Sequence, residues 1–118
     1  MSPYAPRPAA AACLVLLIAG ACPVGAARAE DSVRIAVSLQ DHRFDPAEIH
    51  VPAGKPAILV VTNRDSTAEE FDSSALKVEK IVAAGHYAII RLRPLSPGRY
   101  PFAGEFNATT ATGVVVAE

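Results

Sequence analysis

Acidic side chains are the residues of this chain best suited to chemistry, and they lie on three separate segments. Two adjacent glutamates and an aspartate form the first group, a lone glutamate forms the second, and a glutamate close to an asparagine forms the third. Carboxylate oxygens suit iron and other hard cations, and divalent copper also accepts oxygen and nitrogen ligands. The candidate metal ligands are Glu70, Glu79 and Glu105, with Glu69, Asp72 and Asn107 beside them.

Each of these carboxylates also has a structural interpretation. The pair Glu69 and Glu70 could form a solvated loop, because runs of charge usually face water. Glu79 alternates with Lys80 beside Ile81, so we expect its side chain to point inward with that apolar residue. An inward carboxylate needs a cation, which is either a metal or a basic side chain in an internal salt bridge, and the same argument applies to Glu105.

Patterns of covalent catalysis are weak in this sequence. Ser73-Ser74 and Thr109-Thr110 have no histidine and aspartate at a recognisable nucleophile spacing, although chain order alone does not exclude a triad. The glycines mark turns rather than a phosphate-binding loop. We therefore expect a binding protein and not an enzyme.

The first 29 residues are typical of a bacterial export signal. A short start containing Arg7 precedes an apolar stretch over 9–21, and Ala27 and Ala29 supply the small residues of a cleavage site. The apolar stretch is too short for a permanent span of a bilayer about 30 Å thick. We predict cleavage after Ala29, which leaves one domain over 30–118 in the periplasm.

Cys22 offers an alternative processing point. Ala19-Gly20-Ala21-Cys22 loosely matches a lipoprotein signal, and lipidation of Cys22 would tether the domain to a membrane. Both cysteines of the chain, Cys13 and Cys22, lie within the first 29 residues. The mature domain is thus expected to contain no thiol for a disulfide or a metal–thiolate bond.

The charge balance argues against nucleic acid as a partner. After Ala29 there are nine lysines and arginines and twelve acidic residues, a net charge of −3. No basic stripe that could neutralise phosphates is present in the sequence.

The rest of the chain predicts strands separated by Pro/Gly turns. Val33, Ile35, Val37 and Leu39 alternate with less apolar residues, which is the period of a half-buried strand. Seven or eight such short strands predict an all-β, antiparallel Greek-key β-sandwich. Phe44-Asp45-Pro46 is expected to form a turn, and the one candidate helical turn is 74–77.

Several motifs together resemble the cupredoxins. They are Phe44-x-Pro46-x-x-Ile49-x-Val51-Pro52-x-Gly54, Thr62-Asn63-x-Asp65, Leu95-x-Pro97-Gly98-x-Tyr100-x-Phe102 and Gly113-Val114-Val115-Val116. The fuller pattern, with Glu69-Glu70-Phe71-Asp72-Ser73, Glu79-Lys80-Ile81-Val82, Gly104-Glu105-Phe106 and Thr110-Ala111-x-Gly113, looks like the EfeO-type cupredoxin-like domains. Those domains are periplasmic and are associated with bacterial iron uptake.

The resemblance implies that the type 1 copper ligands are replaced. The two histidine positions fall at Glu69 and Asn107, the cysteine position at Gly104 and the methionine position near Ala111. It also implies that relatives carry carboxylates, and often a histidine at the position of Asn107, around this end of the sandwich. Asparagine is a poor transition-metal ligand, so Asn107 weakens the metal hypothesis.

Two functions follow from the resemblance. The first is a periplasmic metal-binding accessory protein of an iron-transport system, which binds iron or copper through the carboxylates beside an iron permease or other exported iron- or copper-handling proteins. The second is a metal-free module that keeps the cupredoxin scaffold and docks such a partner.

Overall fold

The computed structural model describes residues 32–118, together with residues 3–6, 9 and 20. The predicted export signal, with Ala29 and Cys22 as its two processing points, falls almost entirely outside the described residues and stays a prediction. Within the described part, no helix has the length and apolarity needed to cross a membrane.

The described chain is built of strands, with a single 3-10 turn near its C-terminus. The strands are β1 (Val33–Gln40), β2 (Arg43–Asp45), β3 (Glu48–Val51), β4 (Ala57–Asn63), β5 (Glu69–Ser73), β6 (Val78–Val82), β7 (Tyr87–Leu92), β8 (Gly98–Gly104) and β9 (Thr112–Ala117), and the 3-10 turn is Glu105–Asn107.

Two sheets form the sandwich. The first sheet has the strand order β2-β1-β4-β7, and the second has the order β3-β9-β8-β5-β6. The all-β sandwich fold predicted from the sequence is confirmed. The expectation of purely antiparallel pairing is wrong, because β1 pairs with β4 and β3 pairs with β9 in parallel. These pairings join strands that are distant in sequence, and periodicity within one strand does not report them.

Two local expectations also differ from the structure. Residues 43–45 form the short strand β2, which pairs with β1 as an antiparallel edge, so the described strands number nine rather than seven or eight. The short helical segment is Glu105–Asn107, whereas 74–77 is a plain turn between β5 and β6.

The core lies between the sheets and is centred on three phenylalanines. The rings of Phe71 and Phe102 stack with centroids 4.7 Å apart, and Phe44 meets both rings edge-on. Strand β5 contributes Phe71 through its alternation, since residues 69, 71 and 73 are buried while residues 70 and 72 are only half-buried. The same alternation sends Glu69 to the core side and Glu70 and Asp72 to the outer face.

Two motifs singled out in the sequence are structural. Asn63 is fully buried at the end of β4, where its side chain donates to the carbonyl oxygens of Thr67 and Val82 and accepts from the backbone N–H of Asp65. The hydroxyl of Tyr100 donates to the carbonyl oxygen of Ser96 at 2.8 Å. This second contact is the arrangement of a tyrosine corner in a Greek-key sandwich.

Candidate metal site

The outer face of β5 carries the first two carboxylates of the site. Glu70 and Asp72 are two residues apart on one strand, so their side chains share a face of the second sheet. Both are half-buried, because β5 is an interior strand with β6 on one side and β8 on the other.

The neighbouring strands bring a third and a fourth carboxylate to this face. Glu79 of β6 lies directly opposite Asp72 in the antiparallel register. On the other side, Phe71 is opposite Gly104 of β8, which places Glu105, the first residue of the 3-10 turn, beside Glu70. Antiparallel neighbours on one face have their Cβ atoms about 5 Å apart, which is close enough for carboxylates to interact.

The four side chains Glu70, Asp72, Glu79 and Glu105 form one compact group, which we call the carboxylate cluster. One oxygen of each can be chosen so that all four lie within 4.8 Å of one another. Glu79 and Glu105 are exposed and the other two are half-buried. The expectation that Glu79 points inward with Ile81 is wrong, because both residues face outward on an edge strand.

The basic side chains of residues 32–118 form no ion pair with this cluster. Within residues 32–118, the ion pairs join His42 to Asp65, His50 to Glu48 and Glu118, and Arg99 to Glu48. Lys77 lines a shallow depression with Asp72 and Glu79 but forms no ion pair with either. An internal salt bridge is therefore not the partner of these carboxylates in the described part of the chain.

Burial and neighbouring like charges act together on Glu70. Partial burial raises the pKa of Glu70 above its usual range, and the negative charges of Glu105, Glu79 and Asp72 raise this pKa further. Desolvation and like charges both disfavour the ionised form. A bound cation would act in the opposite direction and favour all four ionised carboxylates.

Glu69 lies on the other face of β5 and has a different environment. Its side chain is 2% exposed. Oε1 accepts hydrogen bonds from the backbone N–H of Phe106 at 2.8 Å and of Glu70 at 3.1 Å, and Oε2 accepts one from Asn107 Nδ2 at 2.7 Å. Both oxygens of Glu69 are thus used within the protein, and so is the amide of Asn107.

The positions that correspond to type 1 copper ligands in the resemblance meet around Glu69. The backbone N–H of Gly104 donates to the carbonyl oxygen of Ala111 at 2.7 Å. A Cβ atom added to Gly104 would lie 2.6 Å from Cδ of Glu69 and 2.8 Å from Cβ of Ala111. Both distances are below van der Waals contact, so the Glu69 side chain occupies the space that a side chain at position 104 would need.

The structure thus divides the six predicted residues into two groups. Four lie in the carboxylate cluster, while Glu69 is hydrogen-bonded to Asn107, the last residue of the 3-10 turn. Sequence reasoning missed the backbone N–H of Phe106 as a partner of Glu69. The period of two in Glu69-Glu70-Phe71-Asp72-Ser73 was the available signal, because a buried Phe71 implies a buried Glu69.

Apolar side chains flank the carboxylate cluster on two sides. Ile81 lies opposite Glu70 in the register of β5 and β6, and it is 54% exposed. Phe106 follows Glu105 in the 3-10 turn and is 55% exposed.

Comparisons with known proteins agree with this architecture. The family model of the cupredoxin-like domain matches residues 9–117. An uncharacterized protein of Rickettsia prowazekii (strain Madrid E) is 36% identical over 87 residues, which cover 74% of this chain and 70% of that protein.

Solved copper proteins share the fold at low sequence identity. The metal-binding domain of the Cu(I)-exporting P-type ATPase CopA of Streptococcus pneumoniae D39 has a TM-score of 0.62 at 17% identity, covering 72% of this chain and 84% of that one. Auracyanin A, a blue copper protein of Chloroflexus aurantiacus, has a TM-score of 0.60 at 13% identity, covering 74% of this chain and 99% of that one. At these identities the likeness shows the fold alone.

Proposed function

Because the chain belongs to the family of cupredoxin-like domains, we propose that it binds a metal cation on that scaffold, at Glu70, Asp72, Glu79 and Glu105. The observation that carries this proposal is the convergence of four carboxylate oxygens within 4.8 Å. Within residues 32–118 no basic side chain pairs with them. A cation would remove the mutual repulsion of the four groups, which is the physical reason for binding.

The donor set favours ferric iron and divalent copper over Cu(I). All four donors are carboxylate oxygens, and oxygen donors suit hard cations, whereas softer ions of copper prefer imidazole, thiolate and thioether. The three described histidines, His42, His50 and His86, do not belong to the cluster, and the first two pair with Asp65, Glu48 and Glu118. Because these donors accept both metals, we place iron first on the resemblance to domains associated with iron uptake, and divalent copper second.

A type 1 copper centre is not part of this proposal. The positions of its ligands hold Glu69, Gly104, Asn107 and Ala111, and the first and third of these are hydrogen-bonded to each other. Blue copper sites need a cysteine thiolate with two histidines. The domain beyond Ala29 contains no cysteine.

The cellular setting is proposed from the resemblance and from the N-terminal segment. The export signal would deliver the domain to the periplasm, and the EfeO-type pattern would place it beside an iron permease or other exported iron- or copper-handling proteins. We propose a binding role there, without catalysis.

A second candidate function is a metal-free docking module for such a partner. The exposed side chains of Ile81 and Phe106 beside the carboxylate cluster favour it. A partner with basic and apolar groups would complement this surface. The two functions are separable, because docking alone requires no response to metal.

Cation titration of the purified protein tests the proposal. Ferrous, ferric and cupric ions are added under calorimetry to the wild type and to Glu79→Gln and Glu105→Gln, which keep the shape of each side chain and remove one charge. We expect binding by the wild type and a weaker affinity in each variant.

A matched control separates the cluster from general surface charge. Asp41→Asn removes an exposed carboxylate from the β1–β2 turn, in the other sheet. This variant should bind like the wild type. Two results would argue against a site at the cluster. One is that the wild type binds none of the three ions, and the other is that Asp41→Asn loses as much affinity as Glu79→Gln.

A further inference from the structure

Glu69 is a buried carboxylate that the cation site does not use. It is 2% exposed, and the ion pairs of residues 32–118 do not include it. A charged group in the interior is costly unless hydrogen bonds compensate for its lost hydration. Three donors supply that compensation, and they come from β5 itself and from the 3-10 turn.

We propose that Glu69 is a positioning residue, which fixes the 3-10 turn against β5 and thereby holds Glu105 in the carboxylate cluster. The consequence for cation binding rests on the function proposed above. The consequence for the order of the turn does not, and the two can be measured separately.

The turn depends on Glu69 because its own sequence offers no cap. Gly104 precedes the turn and makes no side-chain capping hydrogen bond. The first N–H groups of a helical segment have no partner inside it and are normally satisfied by a capping side chain. Here Glu69, on the neighbouring strand β5, acts as the capping side chain, because its carboxylate accepts from the N–H of Phe106 at 2.8 Å.

The same carboxylate ties the two halves of the site together. Oε1 of Glu69 accepts from the N–H groups of both Glu70 and Phe106. Glu70 is a member of the carboxylate cluster, and Phe106 directly follows the member Glu105. Asn107 closes the contact from the far end of the turn. The backbone next to Glu105 is thus connected to the backbone of Glu70 through one side chain.

Gly104 is part of the same arrangement. The 2.6 Å separation between a Cβ built at position 104 and Cδ of Glu69 leaves room for glycine alone beside the buried carboxylate. Glycine at the end of β8 therefore lets Glu69 approach the turn closely enough to accept its hydrogen bonds.

The test must separate position from charge, because Glu69 is itself negative and near the cluster. Asn107→Asp adds a charge and sets two carboxylates against each other across the 2.7 Å contact. The double variant Glu69→Gln with Asn107→Asp reverses the pair, with the glutamine amide as donor and the aspartate as acceptor. It has the net charge of the wild type, and the glutamine oxygen still accepts from Glu70 and Phe106.

Two measurements are made on the purified wild type, the single variant and the double variant. Hydrogen exchange at the amide of Phe106 in the metal-free protein reports the order of the turn. Calorimetry with Mn²⁺, a hard and redox-stable probe, reports the site. We expect Asn107→Asp to speed exchange at Phe106 and to weaken Mn²⁺ binding, each about tenfold or more, because losing a hydrogen bond to a charged group has an effect of that size. We expect the double variant to restore both the exchange rate and the affinity.

A pure charge effect predicts the opposite sign. If Asn107→Asp tightens Mn²⁺ binding and leaves exchange at Phe106 unchanged, the inference is overturned, and failure of the double variant to restore exchange overturns it as well. If Asn107→Asp does not fold, Asn107→Ala removes the donor without adding charge and should show faster exchange at Phe106. A wild type that binds no Mn²⁺ counts against a hard-cation site, and the inference is then decided by exchange at Phe106.

Discussion

The carboxyl groups of Glu69 and Glu70 are adjacent in sequence and lie on opposite faces of β5. Glu69 is buried and receives three hydrogen bonds, whereas Glu70 is half-buried among Glu105, Glu79 and Asp72. Hydrogen-bond donors stabilise the ionised form of a carboxylate, and like charges destabilise it. Two adjacent residues of β5 thus have different roles, since Glu69 is a structural carboxylate and Glu70 is a candidate metal ligand.

The raised pKa of Glu70 predicts how stability depends on pH in the metal-free protein. The folded protein holds the Glu70 proton more tightly than the unfolded chain, so the contribution of this group to stability decreases as pH rises from the ordinary glutamate pKa to the raised pKa. Urea unfolding across this window should show that decrease in the wild type and a smaller one in Glu70→Gln. A wild-type curve that matches Glu70→Gln throughout would contradict the raised pKa.

The residues at the type 1 copper ligand positions predict whether the protein is blue when Cu²⁺ is bound. An intense blue band requires a copper–thiolate bond, and the domain beyond Ala29 contains no cysteine. Visible absorption spectra of the mature protein with added Cu²⁺ should therefore show no strong band. A strong band would contradict the account of the positions held by Glu69, Gly104, Asn107 and Ala111.

At the scale of elements, the connection between β4 and β5 is held by Asn63. Its buried side chain joins the loop to the end of β6 through the carbonyl oxygens of Thr67 and Val82. Asp65 in the same loop accepts from the N–H groups of Asp41 and His42, in the turn between β1 and β2. The loop therefore fixes where β5 enters the second sheet. It thereby also fixes the register of β5 and β6, in which Asp72 lies opposite Glu79.

Asn63→Ala should destabilise the fold. The change leaves the buried carbonyl oxygen of Val82, the part-buried carbonyl oxygen of Thr67 and the part-buried N–H of Asp65 without their partner, and an unsatisfied buried group costs roughly 1–3 kcal/mol. We expect a loss of at least about 2 kcal/mol in the free energy of unfolding, measured with urea. Ser66→Ala, at an exposed position of the same loop, should change it by less than about 0.5 kcal/mol. Equal stabilities of the two variants would contradict this role.

Local patterns in the sequence predicted most strands, because alternation depends only on residues within a short segment. The four members of the carboxylate cluster were chosen as candidate ligands by residue type and by the resemblance, not by alternation. The outward position of Glu79 was not predicted, since the direction of an edge-strand side chain depends on its pairing with β5. The hydrogen bonds of Glu69 were not predicted either. These bonds join Glu69 to Phe106 and Asn107, which lie 37 and 38 positions later in the chain, and only the assembled sheet brings these residues together.

At the scale of the whole molecule, we predict that the N-terminal segment directs export of the domain. Ala27 and Ala29 fit the small-residue preference of the signal peptidase. Mass spectrometry of the exported protein should show a chain that begins at Glu30. An N-terminus at Cys22 bearing acyl chains would contradict cleavage after Ala29 and identify a membrane-tethered lipoprotein.

The most direct test of the central claim is the melting temperature with and without ferrous ion, kept reduced, for the wild type and for a variant with Glu70, Glu79 and Glu105 changed to Gln and Asp72 to Asn. A ligand at 100 times its Kd stabilises a fold by about 2.7 kcal/mol, which is roughly 10–20 °C for a domain of this size. We predict a shift of this order in the wild type and none in the variant, whose metal-free form should melt at or above the wild-type temperature. No shift in the wild type at any excess of metal, or an equal shift in both proteins, would contradict a cation site at the carboxylate cluster.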